Sequence, residues 1–467
     1  MIELEMLGGA GMVTGSKHLV RTSRASVLLE CGLFQGRRDE SNTRNRTLDL
    51  DIGTLDAVVL SHAHLDHSGA LPVLWHRGYR GPIYMTPATR DLCVPMLEDS
   101  ARIQAADARH IAKLIARGVD LAPVTPLYDS EDVVGTLAQV IGLPYRRRQP
   151  IAPGIDVTFL DAGHVLGSAI VVLDITDGDD SLRLAFTGDL GHARLPILHD
   201  PEVPTGVDVL VSESTYGDRL HAPLHETYAR LDATIARTVA RGGKVVIPTF
   251  ALERAQEVVF ALHQLRTAGR LPDVPVFVDS PLAVKITDVF RLHPECISRE
   301  TFALLAGGES PFDFDGLTYV TDVEDSKQID ALPGPAIIIA GSGMCEGGRV
   351  LHHLRATIED ERTTVIIVGY QAEHTLGRRI AERRREVRIF GVMRARNADV
   401  EVLDGLSAHA DQAELMAFAE AVRARGALRR VVLVHGEPAA LSRFAGLLTT
   451  AGFPSVAVPA QGDLLRL

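Results

Sequence analysis

Along the N-terminal third of the chain, short apolar runs alternate with glycine-rich and polar turns, a pattern that predicts strands. Residues 27–32 read as a strand that carries Glu30 near its end, and residues 55–60 as a buried strand. The turn between the first strands, residues 8–16, is rich in glycine but lacks both GxGxxG and the Lys-Ser/Thr of a P-loop, so it is not read as a nucleotide site. Residues 92–118 have helical apolar spacing, a Pro-punctuated link follows at 122–126, and 129–141 predicts a second helix. After Glu213 the character changes to helix and strand in alternation. Helices are expected at 227–241 and 251–267, and strands at 244–247, 276–278, 336–339, 364–368 and 387–390. Such alternation argues for a parallel sheet with helices on both faces.

Three of the apolar runs lead into side chains of the metal-ligand type. The strand at 55–60 is followed by His62-Ala63-His64-Leu65-Asp66-His67, after which residues 68–75 read as a helix start. Three imidazoles and a carboxylate on one tight turn can converge on a divalent first-row ion, and left uncompensated they would be costly to bury. A single tetrahedral ion cannot accept all four and keep an open position, so two neighbouring ions with a shared ligand are expected. Further ligands are then expected elsewhere, and the run 157–160 leads into His164 while the run 182–187 leads into Asp189.

These residues resemble the metallo-β-lactamase superfamily, with its HxHxDH loop followed by a later His and a later Asp. The resemblance extends through Glu213-Ser214-Thr215-Tyr216-Gly217-Asp218-Arg219, residues 250–257, Gly341-Ser342-Gly343-Met344, Ser407-Ala408-His409-Ala410 and Val434-His435-Gly436-Glu437, in the order of the β-CASP branch. That branch includes the messenger-RNA 3′-end cleavage nuclease and ribonuclease J. The resemblance implies an α/β fold, a metallo-β-lactamase αββα sandwich at 1–215 and 396–467, interrupted by a parallel-sheet β-CASP domain at 216–395, with the substrate in a cleft between them. It implies one ion on His62, His64 and His164, a second on Asp66, His67 and His435, and Asp189 as the bridge. Two Zn²⁺ ions per chain are expected, with Mn²⁺ as a competitor at the mixed oxygen and nitrogen set. Asp66, His409 and Glu213 are the expected catalytic residues, His409 as general acid polarised by Glu213. Where the family usually has an aspartate supporting the metal loop, this chain has Glu30, one methylene longer.

Candidate phosphate contacts lie in the inserted domain. Gly341, Ser342 and Gly343 follow a buried strand and precede a helix, a form of backbone that suits anions, and Arg349 and His353 would add charge. Arg254 and Ser280 belong to matching motifs. The expected activity is hydrolysis of phosphodiester bonds in single-stranded RNA, by endonucleolytic or 5′-to-3′ exonucleolytic attack. A DNA-directed nuclease and a non-catalytic RNA-binding scaffold are the alternatives. The family resemblance favours RNA because the position of His435 is histidine in the RNA branch and valine in the DNA branch. A small-molecule hydrolase would need neither the long insertion nor His409.

Composition refines this picture. At 467 residues the chain can bury two cores. A net charge of −12 argues against indiscriminate coating of nucleic acid, although eight arginines between Arg378 and Arg396 face only two glutamates. Arg146-Arg147-Arg148 forms a shorter basic run, and His110 is expected on the surface. Four scattered cysteines give no CxxC pair, and neither a signal peptide nor a membrane span is expected, which points to a reduced cytoplasm. A homodimer is the assembly expected from relatives.

Overall fold

The structure, a computed structural model, describes residues 1–36 and 38–467. It divides into two units, one of residues 1–193, 200–220 and 409–467, the other of 194–199 and 221–408.

Among the described residues the first unit holds two seven-stranded sheets. In one, Glu3–Gly8, Lys17–Arg21 and Ser26–Leu29 pair antiparallel, and Ala57–Val59, Ile83–Met85 and Val140–Gly142 continue it in parallel. In the other, Ile155–Asp161, Ala169–Asp177 and Asp180–Phe186 form an antiparallel meander, joined in parallel by Val209–Ser212 and Arg430–Leu433. Alternation sets which side chains face inward. Leu4, Met6, Val20, Leu29 and Val59 of the first sheet share a core with Val157, Phe159, Leu173, Leu184 and Phe186 of the second. Each such side chain contributes about 1.5–3 kcal/mol on full burial. The opposite face of the second sheet is covered by Leu415, Phe418 and Val422 of the helix Gln412–Ala424 and by Leu441, Phe444 and Leu448 of the helix Pro438–Thr450. The long helix Pro87–Ala116 packs on Ser130–Leu137 and on Val140–Gly142 of the first sheet. The helix expected over 129–141 thus ends early, and its last residues form a three-residue edge strand.

The second unit is a six-stranded sheet, parallel throughout, in the order Leu317–Val320, Val276–Asp279, Ile337–Gly341, Val245–Thr249, Thr364–Ile367, Asp399–Val402. The run 387–390, expected to continue this sheet, lies outside it. Glu386–Ile389 pairs antiparallel with Val392–Ala395 in a separate hairpin. The physical reason is length: the chain reverses over Phe390 and Gly391, whereas a parallel neighbour needs a crossover of a dozen residues or more. The four cysteines are buried thiols. Among the described residues no helix is long and apolar enough to cross a membrane.

Candidate metal centre

The first ligand loop is positioned by the parallel ladder of Ala57–Val59, which lies between Ser26–Leu29 and Ile83–Met85 and stops short of His62. Residues 60–64 then turn into the one-turn helix Leu65–Ser68, where the Ser68 hydroxyl donates to the carbonyls of Ala63 (2.9 Å) and His64 (3.0 Å). Gly32 makes the loop fit, because a Cβ there would lie 1.6 Å from the Asp66 carbonyl oxygen. Glu30 adopts a left-handed φ of 64°, uncommon for a side chain of its size, and this turns its carboxylate inward. One oxygen meets His67 Nδ1 at 3.0 Å and the other accepts from the Ser61 amide at 2.7 Å. Burial pushes the Glu30 carboxyl above its ordinary range, with His67 opposing.

His62, His64, His164 and Asp189 present ligand atoms within 4.8 Å of one another, and so do Asp66, His67 and His435. His62 Nε2 lies 3.2 Å from His64 Nδ1, and His164 Nε2 lies 3.3 Å from the same atom. In the other group His67 Nε2 and His435 Nε2 are 3.3 Å apart. A tetrahedral ion with bonds of about 2.0–2.1 Å places its donors about 3.3–3.4 Å apart. Asp189 touches both groups, with Oδ2 at 3.5 Å from His62 Nε2 and 3.3 Å from His67 Nε2, and Oδ1 at 3.1 Å from His435 Nδ1. Neither of its oxygens accepts a well-formed hydrogen bond among the described residues, although the residue is 1% exposed. Burial works against its charge, yet His435 and His67 hold its carboxyl well below the usual carboxylate range. Burial pushes His62 well below its ordinary value and His64 down to about 4, which favours the neutral ring that a metal requires, whereas at His67 burial is outweighed by Asp189, Asp66 and Glu30, which hold it well above its ordinary value. These donors fit a pair of divalent ions.

His409 lies beside them, its Nδ1 3.2 Å from both oxygens of Glu213 and 3.9 Å from Asp189 Oδ2. Glu213 is fully buried and fixed by the amide of Leu190. Burial opposes protonation of His409, but Glu213, Asp189 and Asp66 together outweigh it and the pKa is raised. Two neighbours were not singled out from the sequence. Ser61 Oγ meets His62 Nδ1 at 2.9 Å, and Thr215 Oγ1 meets His435 Nδ1 at 3.3 Å. Ser61 could have been found as the last residue before the histidine loop, and Thr215 as part of the motif Glu213 to Arg219.

The expected phosphate contacts divide into two groups. Gly341 ends its strand so close to Ser280 that a Cβ would lie 2.8 Å from the Ser280 hydroxyl, and Gly343 packs against the ring of Phe250. Ser280 caps the helix Pro281–Leu292 through Ala283 N, and Ser342 Oγ accepts from Glu346 N. These four residues sit at the carboxyl ends of parallel strands, where open sheets commonly bind ligands. Arg349 and His353 behave differently from the expectation. The guanidinium of Arg349 and the Nε2 of His353 (2.7 Å) both meet the fully buried carboxylate of Asp279. Their charge is taken up inside the unit instead of being offered to a phosphate. Arg254 is likewise buried, donating to Glu257 and to the Leu406 carbonyl.

The metallo-β-lactamase superfamily profile matches residues 13–248, a Beta-Casp domain profile 255–380, and a profile described as a Zn-dependent metallo-hydrolase RNA specificity domain 394–459. Ribonuclease TTHA0252 of Thermus thermophilus is 38% identical over 446 residues, covering 95% of this chain and 95% of its own. The chain belongs to the β-CASP branch of the metallo-β-lactamase superfamily. Other β-CASP relatives are transcription termination factors FttA. Those of Methanosarcina mazei and Thermococcus kodakarensis are each 35% identical to this chain, covering 93% of it and 67% of their own length. A crystal structure of an Enterococcus faecalis protein of unknown function shares the fold, with a TM-score of 0.53 at 13% identity over the whole of both chains. This β-CASP chain is therefore a member of a family of metal-dependent hydrolases that includes a named ribonuclease.

Proposed function

We propose that this β-CASP protein is a zinc-dependent ribonuclease that hydrolyses single-stranded RNA and leaves a 5′-phosphate. The observation that carries the reading is the sharing of Asp189 between two ligand sets, with the Glu213–His409 pair alongside. His62, His64 and His164 would hold one ion, Asp66, His67 and His435 the other, and Asp189 both. Five histidines among seven donors favour zinc, and the aspartate of the second set leaves room for manganese. Ions so held would activate water for attack and offset charge on the phosphate. Glu213 orients His409 through Nδ1, so that the ring can give a proton to the leaving 3′-oxygen. Ser280, Gly341, Ser342 and Gly343 remain the candidates for contact with RNA phosphates. The names of the relatives, a ribonuclease and transcription termination factors, support RNA as the substrate.

The test uses purified protein with one internally labelled and one 5′-phosphorylated single-stranded RNA, each with and without chelator, beside a His409→Ala variant. Cleavage that chelator abolishes and the variant largely loses is expected, and the product ladder separates endonucleolytic from 5′-to-3′ attack. Tight RNA binding with no cleavage by metal-loaded protein would instead indicate a scaffold. Sedimentation of the same sample tests the homodimer expected from relatives.

A further inference from the structure

The hairpin Glu386–Ala395 turns over two residues that both have positive φ, Phe390 at 48° and Gly391 at 78°. Turns of this shape are ordinarily held by Asn-Gly or Gly-Gly, because a bulky side chain is strained there. The strained residue is an aromatic that is 49% exposed. Its ring stands against His352, centroids 4.8 Å apart, and the Arg355 guanidinium lies 5.6 Å from its centre. Val392 and Met393 beside it are 55% and 48% exposed. The first strand of the hairpin is anchored, since Val387 and Ile389 enter the core of the second unit. A fixed base thus presents an apolar, aromatic tip.

The charge around this tip is one-sided. Eight arginines from Arg378 to Arg396 are accompanied by Glu382 and Glu386, in a chain whose net charge is −12. Arg378 and Arg384 pair with Glu382, and Arg394 pairs with Glu359. Arg383 and Arg396 donate to the carbonyls of Val400 and Ala398. Arg385 and Arg388 are exposed and have no ion pair or side-chain hydrogen bond among the described residues, and Arg388 stands opposite Met393 in the ladder. A flat ring at the hairpin tip with the Arg355 guanidinium near it, on a hairpin that also carries the unpaired Arg388, has the chemistry of a platform for unpaired bases and their phosphates. A second copy of the chain set on this face by a twofold axis would bring arginine against arginine.

We propose that the hairpin tip of Phe390, Val392 and Met393, with Arg388 and Arg355, binds single-stranded RNA by stacking on unpaired bases. The inference rests on the reading of RNA as substrate and adds to it a contact carried by the second unit alone. The test measures binding of labelled oligouridine at fixed salt to full-length, metal-loaded protein in the His409→Ala background. Phe390→Gly is the informative variant because it relieves the turn while removing the ring. It should weaken single-stranded binding by about fivefold to a hundredfold. The melting temperature should not fall, duplex RNA binding should not change, and hydrolysis of a nitrophenyl phosphodiester in the otherwise wild-type enzyme should stay at the parent rate. Arg388→Ser and Met393→Ser should weaken binding in the same direction. Single-stranded affinity unchanged in Phe390→Gly and Arg388→Ser would overturn the platform. So would a change confined to oligomeric state, which would mark a face for a second copy. A lower melting temperature in Phe390→Gly would assign the ring to packing, and unchanged binding by Arg388→Ser and Met393→Ser would then overturn the platform. A parent that binds no RNA would remove the ribonuclease reading itself, an outcome distinct from a parent that binds and variants that match it.

Discussion

Glu30 combines a left-handed backbone with complete burial, and both are unfavourable for a glutamate unless its carboxylate has something to hold. It holds the His67 ring through Nδ1 and the start of the histidine loop through the Ser61 amide. The longer side chain therefore reaches the position from which a carboxylate orients a metal-binding imidazole. Glu30→Gln keeps the shape and removes the charge, so metal retention should weaken about tenfold to a hundredfold, measured by competition with a chromophoric chelator. Equal retention in variant and parent would show that Glu30 only fills space. The Glu213–His409 pair makes a different demand. Removing the imidazole in His409→Ala should lower kcat by about a hundredfold to ten-thousandfold while leaving bound metal unchanged by elemental analysis. Loss of metal together with activity would make His409 a ligand and not a proton donor. The histidine loop, His164 and Asp189 were legible because each follows an apolar run, whereas Glu213, His409 and His435 were legible through the family resemblance. The partnership of Glu213 with His409 spans 196 positions, and no local pattern carries it.

At the scale of elements, strand ends do the positioning, and glycine decides how closely they approach. Gly32 follows Glu30 at the end of its strand, where an added Cβ would meet backbone at the Asp66 carbonyl, which cannot swing away as a flexible side chain could. Gly32→Ala should therefore displace the histidine loop, destabilise the protein by about 1–3 kcal/mol and weaken metal binding, both read from thermal unfolding with and without zinc. In the second unit the strand Val276–Asp279 delivers Asp279 to His353 and Arg349. Breaking such a buried pair costs about 3–5 kcal/mol, so Asp279→Ala should lower stability by that order. The pH dependence has a definite sign. Burial disfavours charge on His353, but Asp279 and Asp330 outweigh it and raise its pKa from 6.5. A raised histidine stabilises the fold fully below about pH 6.5 and loses that contribution as pH climbs through the folded value. Urea denaturation between pH 6 and 9 should show a decline in stability that is flatter in His353→Gln, and parallel profiles would refute it. This arrangement was hidden in the sequence because Asp279 lies more than seventy positions before His353. The parallel sheet itself was legible from helix–strand alternation. The hairpin at 386–395 was not, since its apolar run looks like one more strand and its turn residue, Phe390, is a poor turn former.

For the molecule as a whole, every residue assigned to the metals lies in one unit, although the chain leaves that unit after Leu220 and re-enters it at His409. The seven donors come from several elements of the first unit, from the loop after Ala57–Val59 to the end of Arg430–Leu433. Imidazoles face one another at 3.2–3.3 Å, and Asp189 has no well-formed hydrogen bond among the described residues. Metal should thus act as a ligand of the folded state, adding about 2.7 kcal/mol when its free concentration is a hundred times its dissociation constant. The stabilisation should be local to the unit that holds the donors. Hydrogen exchange after chelation should show faster exchange at residues 57–69, 161–190 and 430–436, with strands 245–249 and 337–341 unchanged, because the latter are held by their own aliphatic core. Equal loss of protection in both sheets would mean that the metals stabilise the chain globally. No change anywhere would mean that the donor sets are preorganised by hydrogen bonds alone, and the orphaned carboxylate of Asp189 argues against that outcome.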